Sequence, residues 1–358
     1  MERSNRKLNI LVIADPHHPI PPDVYGGTER IVHLLCQGLQ QRGHYVHLLA
    51  GEGSHAYGGK LLIHKAPTLD YSSRAFQKIL FQLLLLYLVT TTKIDAIINF
   101  GRLDYLEFLF KTPIPLICRF ANLVDQNKID FVLKRRLNKK QTKFIGISQN
   151  QVRGLTPKEQ IEVVYNSVDI EKFDFQPQPA NPPYLAFLGR LNKNKGIDIA
   201  IEVAKQSGVF LKIAGNIPDE PGAKELFETV IKPELGSSCE WLGPVNDQQK
   251  NELLGGAIAL LFPIQWSEPF GIVMIESLAC GTPVIATPRG SVPEVITEGK
   301  TGFTGTSIDK LVLAVQKIGQ IDRYNCRREV EENFDCNVMV QQYLNVINRV
   351  TNSSPTSK

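Results

Sequence analysis

Short apolar runs of strand length alternate with stretches of helical periodicity along almost the whole chain, and no other feature restricts the fold as much. In the first half the runs are Ile10–Ala14, Val46–Ala50, Ala96–Asn99, Leu116–Cys118 and Phe144–Ile147; the second half restarts with Leu185–Leu188, Leu211–Ala214, Ala257–Phe262 and Val284–Ala286. Such alternation is the pattern of parallel sheets covered by helices on both faces. Between the two series lies Gln176–Pro183, four prolines in eight residues, which reads as a linker. A chain of 358 residues also exceeds the usual size of one hydrophobic core. Two doubly wound α/β domains are therefore expected, residues 1–175 and 176–335, with a helix at 336–352. That last segment spaces Val340, Tyr343, Leu344, Val346 and Ile347 helically, and Asn352 to Lys358 reads as a frayed tail. In open α/β sheets ligands bind beyond the carboxyl ends of the strands, so two such edges facing across a cleft would make one site.

Bulk properties narrow the class. Apolar content of 43% and charged content of 21% exclude a disordered or fibrous chain. The six cysteines, at 36, 118, 239, 280, 326 and 336, form no C-x-x-C pair, so a reducing compartment is expected and a zinc site is not. The apolar run Leu8–Ala14 is short and ends in Asp15-Pro16, so it reads as a buried strand and not a signal peptide. Ile79–Val89 holds four consecutive leucines, but 11 residues fall short of a membrane span of about 20. A buried helix is the first reading of it and a membrane-dipping segment the second. Residues 1–175 carry 23 Lys and Arg against 16 Asp and Glu, a balance of +7, and the remainder carries −3. Within the basic half Lys134, Arg135, Arg136, Lys139, Lys140 and Lys143 cluster, which suits either a solvated helix face or attraction to anionic lipid or an anionic acceptor. No aromatics are interleaved among them, which argues against nucleic acid.

Four motifs carry chemistry. The most specific is Glu268-Pro-Phe-Gly-Ile-Val-Met-Ile-Glu276, closed by Gly281 and Pro283. Pro269 marks a helix entrance, so Glu268 stands ahead of the helix and Glu276 within it. The amides of Phe270, Gly271 and Ile272 then lie at the positive end of the helix dipole, where a negative ligand group is favoured. This combination suits a hydroxyl-rich anionic ligand. Gly26-Gly27, between the first strand and the helix Ile31–Leu39, permits close backbone approach, although a plain tight turn explains it as well. Gly189-Arg190-Leu-Asn-Lys193-Asn-Lys195-Gly196 puts a planar guanidinium and a mobile ammonium after a strand, the pair that would neutralise a diphosphate, with a surface loop as the alternative. Trp241-Leu-Gly243-Pro-Val245-Asn-Asp247 offers backbone for the edge of a planar base, or a turn capped by Asp247.

The order Gly26-Gly27, Arg190 with Lys195, Gly243-x-Val245 and Glu268-x7-Glu276 resembles the retaining glycosyltransferases of family 4, which have the two-domain GT-B fold. Asn166-Ser-Val-Asp169, with Phe173 behind it, is similar to that family's domain-closing segment, with Ser167 where Gly is usual. The resemblance runs from about residue 8 to 350 and is strongest from Phe187 to Phe303. It implies two Rossmann-like domains, with the C-terminal helix crossing back to the first, acceptor-binding domain. It further implies that Arg190 and Lys195 bind the donor diphosphate with the Gly26, Gly27 and Gly189 backbone, and that Glu268 holds donor-sugar hydroxyls beside Phe270, Gly271, Ile272 and Val273. Glu276 would take the ribose hydroxyls, and Val245 and Asp247 the base. Relatives place a His after the strand that here reads Pro115-Leu-Ile-Cys-Arg119-Phe-Ala121-Asn122. Arg119 or Asn122 would stand in for it, unless Arg119 is a salt-bridged loop residue.

The implied reaction moves a sugar from a nucleoside-diphosphate sugar, UDP-linked by first choice and GDP-linked by second, to an acceptor hydroxyl with retention, in polysaccharide or glycoconjugate assembly. No two aspartates are spaced D-x-D, so neither a metal nor another cofactor is expected. The expected acceptor is a glycan or a lipid-linked hydroxyl. The expected location is the cytoplasm, with peripheral contact to the anionic cytoplasmic face of a membrane. Two rivals are a nucleotide-sugar epimerase on the same architecture and a noncatalytic sugar-nucleotide binding protein.

Overall fold

The computed structural model describes residues 6–22, 26–65 and 71–352; Asp23–Tyr25 of the first glycine loop and all but the first residue of the tail Asn352–Lys358 lie outside it. The chain divides into two compact units, Met1–Asn166 with Cys336–Lys358, and Ser167–Asp335. The first unit holds strands β1 (Asn9–Ile13), β2 (Tyr45–Ala50), β3 (Gly58–Ile63), β4 (Ala96–Asn99), β5 (Leu116–Arg119), β6 (Thr142–Gly146) and β7 (Ile161–Val163). They form one parallel sheet in the order β3-β2-β1-β4-β5-β6-β7. Helices α1 (Gly27–Gln41), α2 (Tyr71–Thr91), α3 (Gln126–Arg135) and the short α4 (Gln149–Val152) lie in the connections. One face of the sheet, through Leu11, Ile13, Ile97, Leu116 and Phe144, packs against Phe81, Leu85 and Leu88 of α2 and Ile129 and Val132 of α3.

The second unit repeats the plan. Strands β8 (Tyr184–Leu188), β9 (Phe210–Ala214), β10 (Cys239–Trp241), β11 (Ala259–Phe262), β12 (Val284–Ala286) and β13 (Gly302–Thr304) are parallel in the order β10-β9-β8-β11-β12-β13. Its helices are α5 (Ile197–Ser207), α6 (Ala223–Leu226), α7 (Asp247–Gly256), α8 (Ile272–Ala279), α9 (Val292–Val295), α10 (Ile308–Lys317) and α11 (Arg323–Asn333). The winding reverses between β8 and β11, and neighbouring loops at such a point diverge and open a crevice. Gln176–Pro183 lies inside this unit, where Gln176 N–H donates to the Cys280 carbonyl and Ala180 N–H to that of Gly256. The chain leaves the first unit after Asn166 and returns to it at Cys336. Close to both crossings, Val168 and Asp335 form a parallel bridge and Val168 N–H donates to the Phe334 carbonyl at 3.0 Å.

The last helix, α12 (Cys336–Asn352), packs on α1 within the first unit. Its buried row includes Val340, Tyr343, Val346 and Ile347, and Arg42 reaches back to the Asn337 side chain at 3.1 Å. Gly38 makes the close approach of the two helices possible, because a Cβ there would lie 2.5 Å from Val340 Cγ2.

Three expectations change. The stretch Gln176–Pro183, read as the linker, lies inside the second unit, and the chain passes between the units at Asn166–Ser167 and Asp335–Cys336. The leucine-rich helix is buried along one side only: Phe76, Ile79, Leu83, Leu86 and Tyr87 of α2 are exposed, because a helix covering a sheet presents one stripe to it and the opposite stripe faces away. No helix among the described residues is long and apolar enough to cross a membrane. The basic cluster is also smaller than its sequence, since Arg136 is buried and donates to the carbonyls of Leu109, Thr112 and Ile114, and Lys143 pairs with Glu162 at 3.3 Å.

The Gly38 contact predicts that Gly38→Leu, by forcing α12 away from α1, lowers the unfolding free energy by about 1–3 kcal/mol. Denaturant titration reads this, and an unchanged midpoint would contradict it.

Candidate functional site

At the β8–β11 switch point the backbone is set by glycines with little room. Gly189 N–H donates to the Ala214 carbonyl at 3.0 Å, and Gly215, at φ 138°, could carry no side chain, since a Cβ would come within 1.8 Å of the Gly189 oxygen. Gly215 in turn donates to the Gly243 carbonyl at 2.9 Å and accepts from Trp241 Nε1 at 2.9 Å. The loop after β8 and the loop 242–246 are thereby tied together through one residue. Asn192 caps the single turn Lys193–Lys195, its side chain accepting from Lys195 N–H at 3.1 Å, and Gly196 follows at φ 71° against the Pro263 carbonyl.

This turn aims Lys195 at Glu268. The ammonium lies 2.5 Å from Glu268 Oε2, which also accepts from Trp266 Nε1 at 2.8 Å. The rings of Phe262 and Trp266 stand 5.9 and 5.8 Å from the ammonium, within reach of cation–π attraction. Glu268 is only 8% exposed. Its carbonyl accepts from Ser291 N–H at 3.0 Å, and Gly290, at φ 58°, brings its backbone so close that a Cβ would sit 2.2 Å from the Glu268 oxygen. Arg190, at the same edge, is half-exposed and only loosely held, 3.8 Å from Glu220.

Helix α8 begins at Ile272, two residues later than Pro269 suggests, because Gly271 adopts φ 72° and serves as its N-cap. Its first-turn amides are therefore those of Ile272 and Val273, while Phe270 is buried against Phe334. A side chain at Gly271 would press on the Phe262 ring at 2.8 Å. One turn further, Glu276 pairs with Lys250 at 2.6 Å, and Lys250 also reaches Asp247 at 3.4 Å and the Phe173 ring at 5.3 Å. Asp247 is the first residue of α7 and not its cap; Asn246 caps it, with Gln249 completing the box. Val245 is half-buried in the preceding loop. Arg190, Lys195, Glu268, Glu276, Val245 and Asp247 thus all belong to the loops and helix starts of the second unit.

Gly26 and Gly27 belong to the first unit, at the start of α1. Gly26 accepts from Arg30 N–H at 3.0 Å, and a Cβ there would meet Pro22 and Glu29 at under 3 Å. Arg119 is not a salt-bridged loop residue: it ends β5, is buried, donates to Asn166 Oδ1 and lies over the Phe100 ring at 5.0 Å. Burial pulls its pKa below the usual arginine value, opposed by the Tyr343 hydroxyl, whose own pKa burial raises to about 12. Strand alternation explains the difference, since Leu116 and Cys118 face α2 and α3 and position 119 must point to the other side. Asn122 is exposed, and its carbonyl accepts from Gln151 at 2.6 Å. Sequence reading passed over Lys250, Trp266, Asn192 and Gly215. Only the Asp247–Lys250 spacing of three on a helix and the Trp two residues before Glu268 could have signalled them.

Comparison with known proteins now bears on this geometry. Residues 169–333 match the family described as glycosyl transferases group 1, and residues 25–172 match glycosyltransferase family 4. The chain belongs to glycosyltransferase family 4. Two solved structures share the GT-B fold of this family-4 chain over 97% of its length: a glycosyltransferase from Rickettsia africae (18% identity, all of that chain, TM-score 0.78) and a sucrose-phosphate synthase from Thermosynechococcus elongatus (18%, all of that chain, TM-score 0.77). Anabaena Alr3699/HepE in complex with UDP-glucose matches at 18% identity over 95% of this chain and 99% of its own, TM-score 0.71. Among curated relatives, alpha-maltose-1-phosphate synthase of Mycolicibacterium smegmatis is 30% identical over 34% of this chain and 33% of its own length. The gpi3 subunit of phosphatidylinositol N-acetylglucosaminyltransferase of Schizosaccharomyces pombe is 34% identical over 44% and 35%. The chain spans about a third of the length of these two curated relatives.

The pairing of Lys195 with Glu268 predicts an asymmetric response to substitution. Glu268→Ala, which leaves the ammonium between two aromatic rings, lowers stability by about 2–3 kcal/mol, and Lys195→Met costs less, because Trp266 still donates to the carboxylate. Chemical denaturation of both variants checks the order, and the reverse order would refute this account.

Proposed function

We propose that the chain transfers a hexosyl group from a nucleoside-diphosphate sugar to an acceptor hydroxyl, with retention of the anomeric configuration and without a metal ion. The observation that carries this reading is the Lys195–Glu268 pair at the switch point, with the half-exposed Arg190 at the same sheet edge. As the bond between the anomeric carbon and the diphosphate oxygen lengthens, negative charge grows on the diphosphate. Arg190 and Lys195 neutralise it from positions prepared before the reaction, which is where such charges act most strongly. The acceptor oxygen forms the new bond to the anomeric carbon on the same face, and its proton passes to an oxygen of the departing diphosphate.

Glu268 is the sugar holder in this scheme. Lys195 and Trp266 both donate to its Oε2, which leaves Oε1 for a sugar hydroxyl. Lys250 engages Oε1 of Glu276, so the other oxygen is left for the ribose. The loop Gly243–Asn246 takes the base through its backbone. A UDP-sugar is the favoured donor, in keeping with the UDP-glucose held by the Anabaena relative, and a GDP-sugar is the alternative. The acceptor is a hydroxyl on a glycan or a lipid-linked sugar. We place this activity in the cytoplasm, as the sequence reading did.

Arg190→Ala and Lys195→Ala are each expected to lower kcat/KM for donor turnover by about 10²–10³-fold while Asn122→Ala changes it far less. Turnover that survives the loss of both cations would refute the assignment. Thermal-shift measurements with UDP-, GDP- and ADP-sugars identify the donor, since a ligand bound only by the native state raises the melting temperature according to its affinity. Turnover in excess chelator is expected to be unchanged, and abolished turnover would overturn metal independence.

A further inference from the structure

Five large apolar side chains on one helix are left facing solvent. Phe76 (63% exposed), Ile79, Leu83 (57%), Leu86 and Tyr87 lie on α2 at spacings of three and four, so they form a single stripe, while Phe81, Leu85 and Leu88 of the same helix are buried against the sheet. Isolated exposed leucines are ordinary in soluble proteins; a continuous stripe over three turns is an interaction surface. At 21 residues the helix is about 30 Å long.

The charges that helix α2 itself carries are of one sign. It contains no Asp or Glu, and carries Arg74 and Lys78, the latter paired with the exposed Glu107 at 3.0 Å. The ammonium of Lys60 in β3 lies over the Tyr87 ring at 4.8 Å and donates to Thr91 Oγ1 at 2.8 Å. The neighbouring α3 covers the same face of the same sheet, and its exposed end and the turn that follows present Lys134, Arg135, Lys139 and Lys140 around Leu137, which is 68% exposed. The strands into which α2 and α3 lead, β4 and β6, are two strand spacings apart, roughly 10 Å. Both helices return antiparallel to the parallel strands, so the C-terminal ends of the stripe and of α3 lie at one edge of the sheet.

We propose that the outer face of α2, with the basic end of α3, docks on an anionic lipid surface. The stripe enters the boundary between headgroups and acyl chains, and the cations meet lipid phosphates, the arrangement of an interfacial helix lying in the membrane plane. A second copy of the chain is a poor occupant, because pairing two such faces brings the same cations together. A further consequence, which rests on the transfer reading above, is that the acceptor hydroxyl is carried on a lipid.

Sedimentation of the full chain with vesicles of phosphatidylcholine, with and without phosphatidylglycerol, tests the surface. Binding to the phosphatidylglycerol vesicles at low salt, falling as salt rises, is expected. The double change Ile79→Glu and Leu83→Glu, both at exposed positions, should reduce the bound fraction about tenfold, and Lys134→Glu with Lys139→Glu should abolish the preference for phosphatidylglycerol. The donor-induced melting shift should be the same in these variants as in the unaltered protein, which separates failure of the docking surface from failure of the transfer reading. Three results would overturn the proposal: no vesicle binding at low salt, binding indifferent to Ile79→Glu and Leu83→Glu, or a dimer in sedimentation equilibrium that Leu83→Glu dissolves in a protein that ignores vesicles.

Discussion

In a parallel sheet every strand delivers its carboxyl end to the same edge, and every connection has to cross back over a face. Both units of this chain are built under that constraint, with orders β3-β2-β1-β4-β5-β6-β7 and β10-β9-β8-β11-β12-β13. The polar loops are therefore collected at one edge of each sheet, and the reversal between β8 and β11 leaves two of those loops beside each other without a helix above them. Lys195 comes from one loop and Glu268 from the other, 73 residues later, and their 2.5 Å contact is a product of the topology. The tight glycines at 215, 271 and 290 hold that contact in place, since each backbone passes where a Cβ would collide with a neighbour.

Buried and part-buried cations follow two different rules in the molecule. Lys195 and Lys250 are paired with carboxylates close to the crevice. Away from it, three buried arginines have no carboxylate partner among the described residues and instead bond neutral groups. Arg136 bonds three carbonyls and the Thr142 hydroxyl, Arg323 bonds those of Gln176, Gly255 and Ala257 with the Thr282 hydroxyl, and Arg119 bonds Asn166 over an aromatic ring. A guanidinium has five donors in a fixed fork, so it can close several loop carbonyls at once. Burial lowers the pKa of all three, that of Arg136 to about 10, which still leaves the charge in place near neutrality. These arginines serve the loops; the lysine–glutamate pairs serve the crevice.

Legibility in the sequence tracked burial. Every strand read from an apolar run is a central strand of its sheet, and the four that no run announced, β3, β7, β10 and β13, are the four edges. An edge strand has a neighbour on one side only and is less covered, so Gly58–Ile63 and Ile161–Val163 need no unbroken apolar run. At the site, Glu268 and Glu276 were visible because Pro269 and the glycines punctuate the helix between them. Their partners Lys195, Trp266 and Lys250 could not be assigned to them, because lysines are frequent and only distance tells which carboxylate each one meets.

The amino-acid sequence by itself determined two α/β units, the central strands, the helix entrance between the two glutamates and the order of motifs that resembles family 4, because periodicity and punctuation are local properties of the chain. Which stripe of α2 is covered, which arginine of the basic cluster is buried, where the chain passes from one unit to the other, and which ammonium neutralises which carboxylate were decided only in the tertiary structure. Each of those depends on which residues distant in sequence are brought within a few ångströms, and that is set by the order of the strands in the sheet.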